Sequence, residues 1–273
     1  MTVIQYPGKK NSIARWIIKH FPYDYQAMTY LEPFFGSGCI FLRKERSAVE
    51  TINDLDNEIY NLFLQIRNNP DELLLLLSNT PWSRADYDLS YEKSDDLLEQ
   101  ARRCIVRFWF TISANVTKKN GMRFDIKRNT KSIAYFHLNL PDVIVRVSER
   151  LKHDKENIVQ IENRSVFELI PLYNRENVFM YLDPPYLQET RISKKVYKHE
   201  FTYEEHEALL KLITVSKANI MISGYMNDLY FQYLKGWHLE QTAAKDQAGN
   251  NKTECIWINY PDCQSNLFSV GAI

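Results

Sequence analysis

The sequence predicts an α/β fold: a seven-stranded, mostly parallel sheet with a C-terminal antiparallel hairpin, split by a mainly helical insert. Three observations predict it. Strand-like apolar runs alternate with helical periodicity over the first 66 residues. A basic, helical stretch then interrupts that alternation from 67 to 155. Strand character returns afterwards and ends in two facing runs around the polar Gly249-Asn250-Asn251.

The elements follow in order. A helix is predicted over Ser12–His20 and a strand over Met28–Glu32. The turn Pro33-Phe34-Phe35-Gly36-Ser37-Gly38 leads into a further helical stretch. A strand at Val49–Asn53 feeds Asp54 and a helix carrying Ile59, Leu62, Phe63 and Ile66 on one face. In the insert, Leu97, Leu98, Ala101, Cys104, Ile105, Phe108, Trp109 and Ile112 share a helical face, with Arg102, Arg103 and Arg107 off it. Val143, Ile144, Val147 and Leu151 mark another helix; the polar stretch Ser113–Leu140 between them reads as a long loop or hairpin. Strands are predicted at Ile158–Ile161, Val178–Leu182 and Asn219–Ser223, with a helix over Tyr203–Val215. Trp237–Thr242 and Glu254–Asn259 form the closing hairpin.

Composition narrows the function classes. Cys39, Cys104, Cys255 and Cys263 are scattered, with no C-x-x-C pair, which argues against zinc and a disulfide scaffold and fits a reducing cytoplasm. Met1–Tyr6 shows no secretory leader, and the apolar run Leu73–Leu77 is far too short to span a bilayer. The net charge is zero, yet residues 101–155 hold thirteen Lys/Arg against four Asp/Glu. Lys118, Lys119, Arg123, Lys127 and Arg128 within it suggest a polyanion surface; a solvated helical face is the plainer alternative.

Leu182-Asp183-Pro184-Pro185-Tyr186 follows a strand, at the edge where open α/β sheets bind ligands. A carboxylate accepts a hydrogen bond from an exocyclic amine, a proline carbonyl supplies a second acceptor, and a tyrosine offers a face for stacking. Together they suit a flat, amino-bearing ring. Two glycines in the turn after the first strand allow close backbone approach to a ligand. Asp54, just past the second strand, stands where an acid binds ribose hydroxyls, or it caps the following helix, a role open to Asp56 as well. No phosphate loop of the G-x-x-x-x-G-K-[ST] type is present, so a nucleoside without a triphosphate fits better.

Taken in order, Tyr6-Pro7-Gly8-Lys9-Lys10, Glu32–Gly38, Asn53-Asp54-Leu55-Asp56 and Leu182–Tyr186 resemble the Dam-like, adenine-specific (N6) DNA methyltransferases. Thr80–Arg84, Ile161–Arg164 and Ile222–Tyr225 extend the likeness to nearly the whole chain except the loop around 113–140. The resemblance implies a Rossmann-like methyltransferase sheet formed by 1–66 and 156–273, with 67–155 as the DNA target-recognition insert. It implies S-adenosylmethionine as methyl donor and N6 of adenine in double-stranded DNA as acceptor, with a cognate restriction endonuclease as an open question. By position, Tyr6, Lys10, Asp54, Ser165 and Asp183 would contact the cofactor and Phe34, Gly36, Ser37 and Gly38 would cradle its methionine part. Lys9 and Ser165 depart from the family, which often has a small residue and an Asp there; a hydroxyl binds more weakly than a carboxylate.

That chemistry assigns Asp183 and the Pro184 carbonyl to the two N6 protons and Tyr186 to stacking of a flipped-out base. Arg191, Lys194, Lys195 and Lys198 follow directly and suit the neighbouring phosphates. Methylation of cytosine N4 or of RNA adenine on the same fold, and a non-catalytic DNA-binding regulator, are the alternative readings.

Overall fold

The computed structural model describes residues 2–8, 10–112, 118–125, 131–190, 198–245 and 251–261. Its centre is a seven-stranded sheet in the order β3-β2-β1-β4-β5-β7-β6. The strands are β1 (Thr29–Glu32), β2 (Val49–Asn53), β3 (Ile158–Glu162), β4 (Val178–Leu182), β5 (Asn219–Gly224), β6 (His238–Lys245) and β7 (Asn251–Ile258). The first five run parallel, and β7 joins β5 and β6 antiparallel. The chain passes from β1 outward to β3, then returns to β4 on the other side of β1. Direction therefore reverses between β1 and β4, and a crevice opens there beyond the strand ends.

Burial on both faces explains the unbroken apolar runs. All of β4 is buried, with Phe179 and Tyr181 in one core and Val178, Met180 and Leu182 in the other. The first core is continuous from α1 (Ala14–Lys19) and α2 (Asn57–Asn68) into the insert. There α3 (Pro70–Ser78), α4 (Arg84–Leu89), α5 (Leu97–Phe110), α6 (Lys131–Leu138) and α7 (Leu140–Leu151) stand in turn. The other core is covered by α8 (Val166–Leu172), α9 (Tyr203–Thr214) and α10 (Asp228–Tyr233).

Several expectations are corrected. After Gly38 the chain makes hydrogen-bonded turns rather than a regular helix, although Leu42 N and Lys44 N each donate to the carbonyl four residues back. Helix α6 occupies part of the predicted loop 113–140, its aromatic residue Phe136 buried against Trp82 and Phe110. The hairpin strand β7 begins at Asn251, within the polar segment read as a turn. Helices α8 and α10 are too short for periodicity to reveal. Leu97 and Ile112 end α5's apolar face in solvent, 58% and 61% exposed.

The arginines of α5 differ most from expectation. Arg102 and Arg107 are buried, not off the packed face. Arg102 pairs with Glu99 at 2.6 Å and Asp86 at 3.1 Å, Arg103 with Glu99 at 2.8 Å, and Arg107 with Glu58 of α2 at 2.7 Å. Burying a guanidinium requires such a partner.

Candidate active site

Each strand of the β3-β2-β1-β4 quartet ends by delivering one predicted motif to the crevice. Beyond β1, Gly36 and Gly38 hold φ of +51° and +64°, a region that favours glycine. A Cβ at Gly38 would stand 2.4 Å from the Phe35 ring, and one at Gly36 3.0 Å from the Tyr6 ring. The turn is thus closed from within by Phe35 and from above by Tyr6.

Asp54 fastens this turn to β2. Its Oδ2 accepts from Gly36 N at 2.8 Å and its Oδ1 from Asp56 N at 2.9 Å. The helix cap belongs to Asp56, which accepts from Glu58 N at 3.0 Å. Burial pushes the Asp54 carboxyl up to about 6, against the lowering effect of those two amides. Asn53 and Asn163 lock the neighbouring ends together. Asn53 Nδ2 donates to the Pro33 and Arg164 carbonyls at 2.9 and 3.1 Å, and Asn163 Nδ2 donates to the Asp54 carbonyl at 2.7 Å. Ser165 follows at the start of α8, where its side chain makes no capping bond.

Beyond β4, Asp183 Oδ1 lies 3.0 Å from Lys10 Nζ and accepts from Ser223 Oγ at 2.8 Å. The Lys10 ammonium also donates to the Gly8 carbonyl at 3.1 Å and sits 4.5 Å from the centroid of the Tyr186 ring. The amino-terminal segment is carried there by the insert: Trp109 Nε1 donates to the Val3 carbonyl at 2.7 Å, and Tyr6 packs on Phe108.

These ends enclose a cleft of about 1060 Å³ including its open mouth. Tyr6, Lys10, Phe34, Gly36, Ser37, Asp54, Ser165 and Asp183 line it together. Gly38, Pro184 and Tyr186 do not; Gly38 shapes the turn, and Tyr186 is packed behind Lys10. Glu32, Phe167, Tyr181, His199 and Phe201 also line the cleft and were not singled out by sequence. Burial pushes Glu32 up to about 8 despite the hydrogen bond from Tyr30 and the nearby Lys44. Its place in the Glu32–Gly38 run was the one available signal.

The predicted basic residues behave unequally. Lys118 is exposed, whereas Lys119 pairs with Asp88 at 2.8 Å. Arg123 turns inward and donates to the Thr111 carbonyl at 2.6 Å and Ser132 Oγ at 2.8 Å. Trp82 Nε1 in turn donates to the Arg123 carbonyl at 2.9 Å, so the Thr80–Arg84 motif braces this loop. Lys198 pairs with Asp56, the N-cap of α2, at 2.7 Å and with Glu58 of its first turn at 3.3 Å. Lys127, Arg128, Arg191, Lys194 and Lys195 lie outside the described residues, as do Lys9 and Cys263.

Residues 6–245 match the family model of the D12 class N6 adenine-specific DNA methyltransferases. The chain belongs to that family. It transfers methyl groups to N6 of adenine in DNA, and the family's chemistry implies S-adenosylmethionine as donor. The type II methyltransferase M1.LlaDCHI of Lactococcus lactis subsp. cremoris is 25% identical, with 85% of this chain and 86% of that protein covered. The type II methyltransferase M.MjaIII of Methanocaldococcus jannaschii is 23% identical over 94% of this chain and 98% of its own length. The rRNA methyltransferase aviRa from Streptomyces viridochromogenes, in two solved structures, gives TM-scores of 0.40 and 0.42 at 12% identity, covering 98% and 99% of this chain and 90% and 93% of those. Those scores are too low to bear on the fold, which rests on the strand order. No helix among the described residues is long and apolar enough to cross a membrane, and among them no His, Cys, Asp and Glu cluster suits a metal ion.

Proposed function

We propose that this methyltransferase holds S-adenosylmethionine in the cleft and methylates adenines flipped out of double-stranded DNA at Asp183-Pro184-Pro185-Tyr186. The observation that supports it best is the position of Asp183 at the switch between β1 and β4, facing a cleft lined by Asp54 and Ser165. The lining suits a nucleoside bearing positive charge: aromatic walls at Phe34 and Phe167, and carboxylates at Asp54 and Asp183.

Asp54 would accept the ribose hydroxyls, and Ser165 would meet the cofactor's adenine. Phe34, Gly36 and Ser37 would hold its methionine part on a turn shaped by Gly38, with Tyr6 and Lys10 contributed by the amino-terminal segment. Bound S-adenosylmethionine supplies an electrophilic sulfonium methyl. Asp183 and the Pro184 carbonyl accept the two N6 protons, which localises a lone pair otherwise delocalised into the ring. No covalent enzyme intermediate would be needed, and the proton released from N6 would pass to the Asp183 carboxylate that accepts its hydrogen bond. A nitrogen donor already stands at Asp183, since Lys10 Nζ lies between that carboxylate and the Tyr186 face. The base must displace it to reach the ring.

The insert 67–155 reads DNA, with Lys118 and Lys119 among its phosphate contacts and Lys127, Arg128, Arg191, Lys194 and Lys195 as further candidates. A cognate restriction endonuclease is a candidate partner, and the cytoplasm is the proposed place of action. Sequencing genomic DNA from expressing cells with a modification-sensitive read-out tests the whole reading. N6-methyladenine confined to one sequence motif supports it, and unmodified adenine in cells that make folded protein overturns it.

A further inference from the structure

The ring of Tyr186 is held from several sides, and one of its holders takes no part in the chemistry above. Its hydroxyl donates to Glu254 Oε2 at 2.7 Å, with both residues buried. It stands edge-to-face with Tyr225, the centroids 4.7 Å apart at 69°, and Lys10 rests on its face. Glu254 comes from β7, opposite Thr242 of β6 and one residue before Cys255 pairs with Gly224 at the end of β5. Because β7 runs antiparallel, it brings a carboxylate to the edge where the parallel strands end. A carboxylate in a buried strand costs stability unless hydrogen-bonded, and the core of an α/β sheet has no packing need for one here. Burial and the neighbouring carboxylate push the Tyr186 hydroxyl well above the ordinary phenol range, so it stays a donor.

We propose that Glu254 is a positioning residue for methyl transfer, fixing the Tyr186 hydroxyl so that the ring keeps the plane on which the flipped adenine stacks. This rests on Tyr186 being the stacking ring. A hydroxyl pinned at one end of the ring and Tyr225 packed against it fix the face that Lys10 covers and that a base would take by displacing it, and a small tilt would carry N6 away from Asp183.

The test uses the full chain with S-adenosylmethionine and unmethylated bacterial genomic DNA, separating kcat, KM for DNA and cofactor Kd. Glu254→Ala should lower kcat about ten- to a hundred-fold, the loss of one hydrogen bond to a charged group, with cofactor Kd unchanged. Glu254→Gln keeps an acceptor and should restore most of kcat. Tyr186→Phe breaks the same bond from its other end, so the Tyr186→Phe/Glu254→Ala double variant should be no slower than Glu254→Ala alone. Additive losses in the double variant, or wild-type kcat in folded Glu254→Ala, would overturn the proposal. Tyr186→Ala separates it from its premise: full activity there removes the stacking ring and both readings with it. If Tyr186→Ala is impaired while Glu254→Ala is not, only the role of Glu254 falls. Circular dichroism and thermal unfolding verify folding. Where Glu254→Ala does not fold, Tyr186→Phe decides, since it leaves no cavity, and wild-type kcat in it overturns the proposal.

Discussion

The carboxyl edge of the sheet and the helical insert answer the same reading of residues in opposite ways. At the edge, Tyr6, Asp54, Ser165 and Asp183 come from four distant stretches and meet around one cleft. In the insert, thirteen basic residues over 101–155 suggest a polyanion surface. Yet Arg102, Arg103, Arg107 and Arg150 are spent on Glu99, Asp86, Glu58 and Glu50. Those acids lie outside the counted window, and the fold brings them in. A motif at a strand end inherits its position from the backbone. A long, charged side chain takes whichever opposite charge tertiary contact offers, so local charge counts overstate a surface.

The largest effect expected is at the edge. Asp183→Ala should lower turnover by about a thousand-fold or more, through loss of stabilisation made in the transition state. The fold and most DNA affinity should persist. Transfer of labelled methyl groups to unmethylated DNA measures it, and wild-type turnover in folded protein would take Asp183 out of the mechanism.

Asp54→Ala comes next. Losing a charged acceptor costs about 1.5–3 kcal/mol, or roughly ten- to a hundred-fold in cofactor affinity. The pH dependence sharpens this. With the Asp54 carboxyl raised to about 6 by burial, protonation weakens it as an acceptor, so wild-type affinity should fall as pH drops through that value. Calorimetric titration should show that slope in the wild type and a flat line in Asp54→Ala; parallel curves would remove Asp54 from the ribose. Ser165→Asp, which restores the commoner family residue, should hold or tighten cofactor binding in the same titration.

Two variants in the insert separate its buried from its exposed charge. Arg107→Ala leaves Glu58 with Lys198 and the Gln100 amide and should cost about 1–3 kcal/mol of stability. Denaturant unfolding measures that, and the salt dependence of DNA binding should stay as it was. Lys118→Glu should do the reverse. It should leave stability within about 0.5 kcal/mol and reduce the slope of log affinity against log salt by about 0.9 for one lost phosphate contact. Lys119→Glu should change the slope less, because Asp88 already competes for that ammonium. An unchanged slope in both would place the DNA surface elsewhere.

Much of the architecture was legible because apolar runs and turn residues are local signals. All seven strands were, because each is a short run bounded by turn residues and, at the centre of the parallel set, buried on both faces. So were the motifs at their ends, and with them the chemistry, since an acid, a proline carbonyl and a tyrosine beside a strand suit few tasks. Helices α8 and α10 were not, being too short to show a period. Glu254 was not, because nothing local distinguishes it from any other acid in a hairpin.

The sequence by itself determined which residues end each strand and what groups they carry, because those follow from short-range patterning. Only the tertiary structure decided the strand order, and so put the reversal between β1 and β4 where Asp183 and Asp54 line one cleft. It also decided which cations are neutralised, that Lys10 rests between Asp183 and Tyr186, and that Glu254 holds Tyr186 from 68 residues away. Those pairings join segments distant along the chain. Their energies depend on burial and on separation in space, neither of which is a property of any one stretch of sequence.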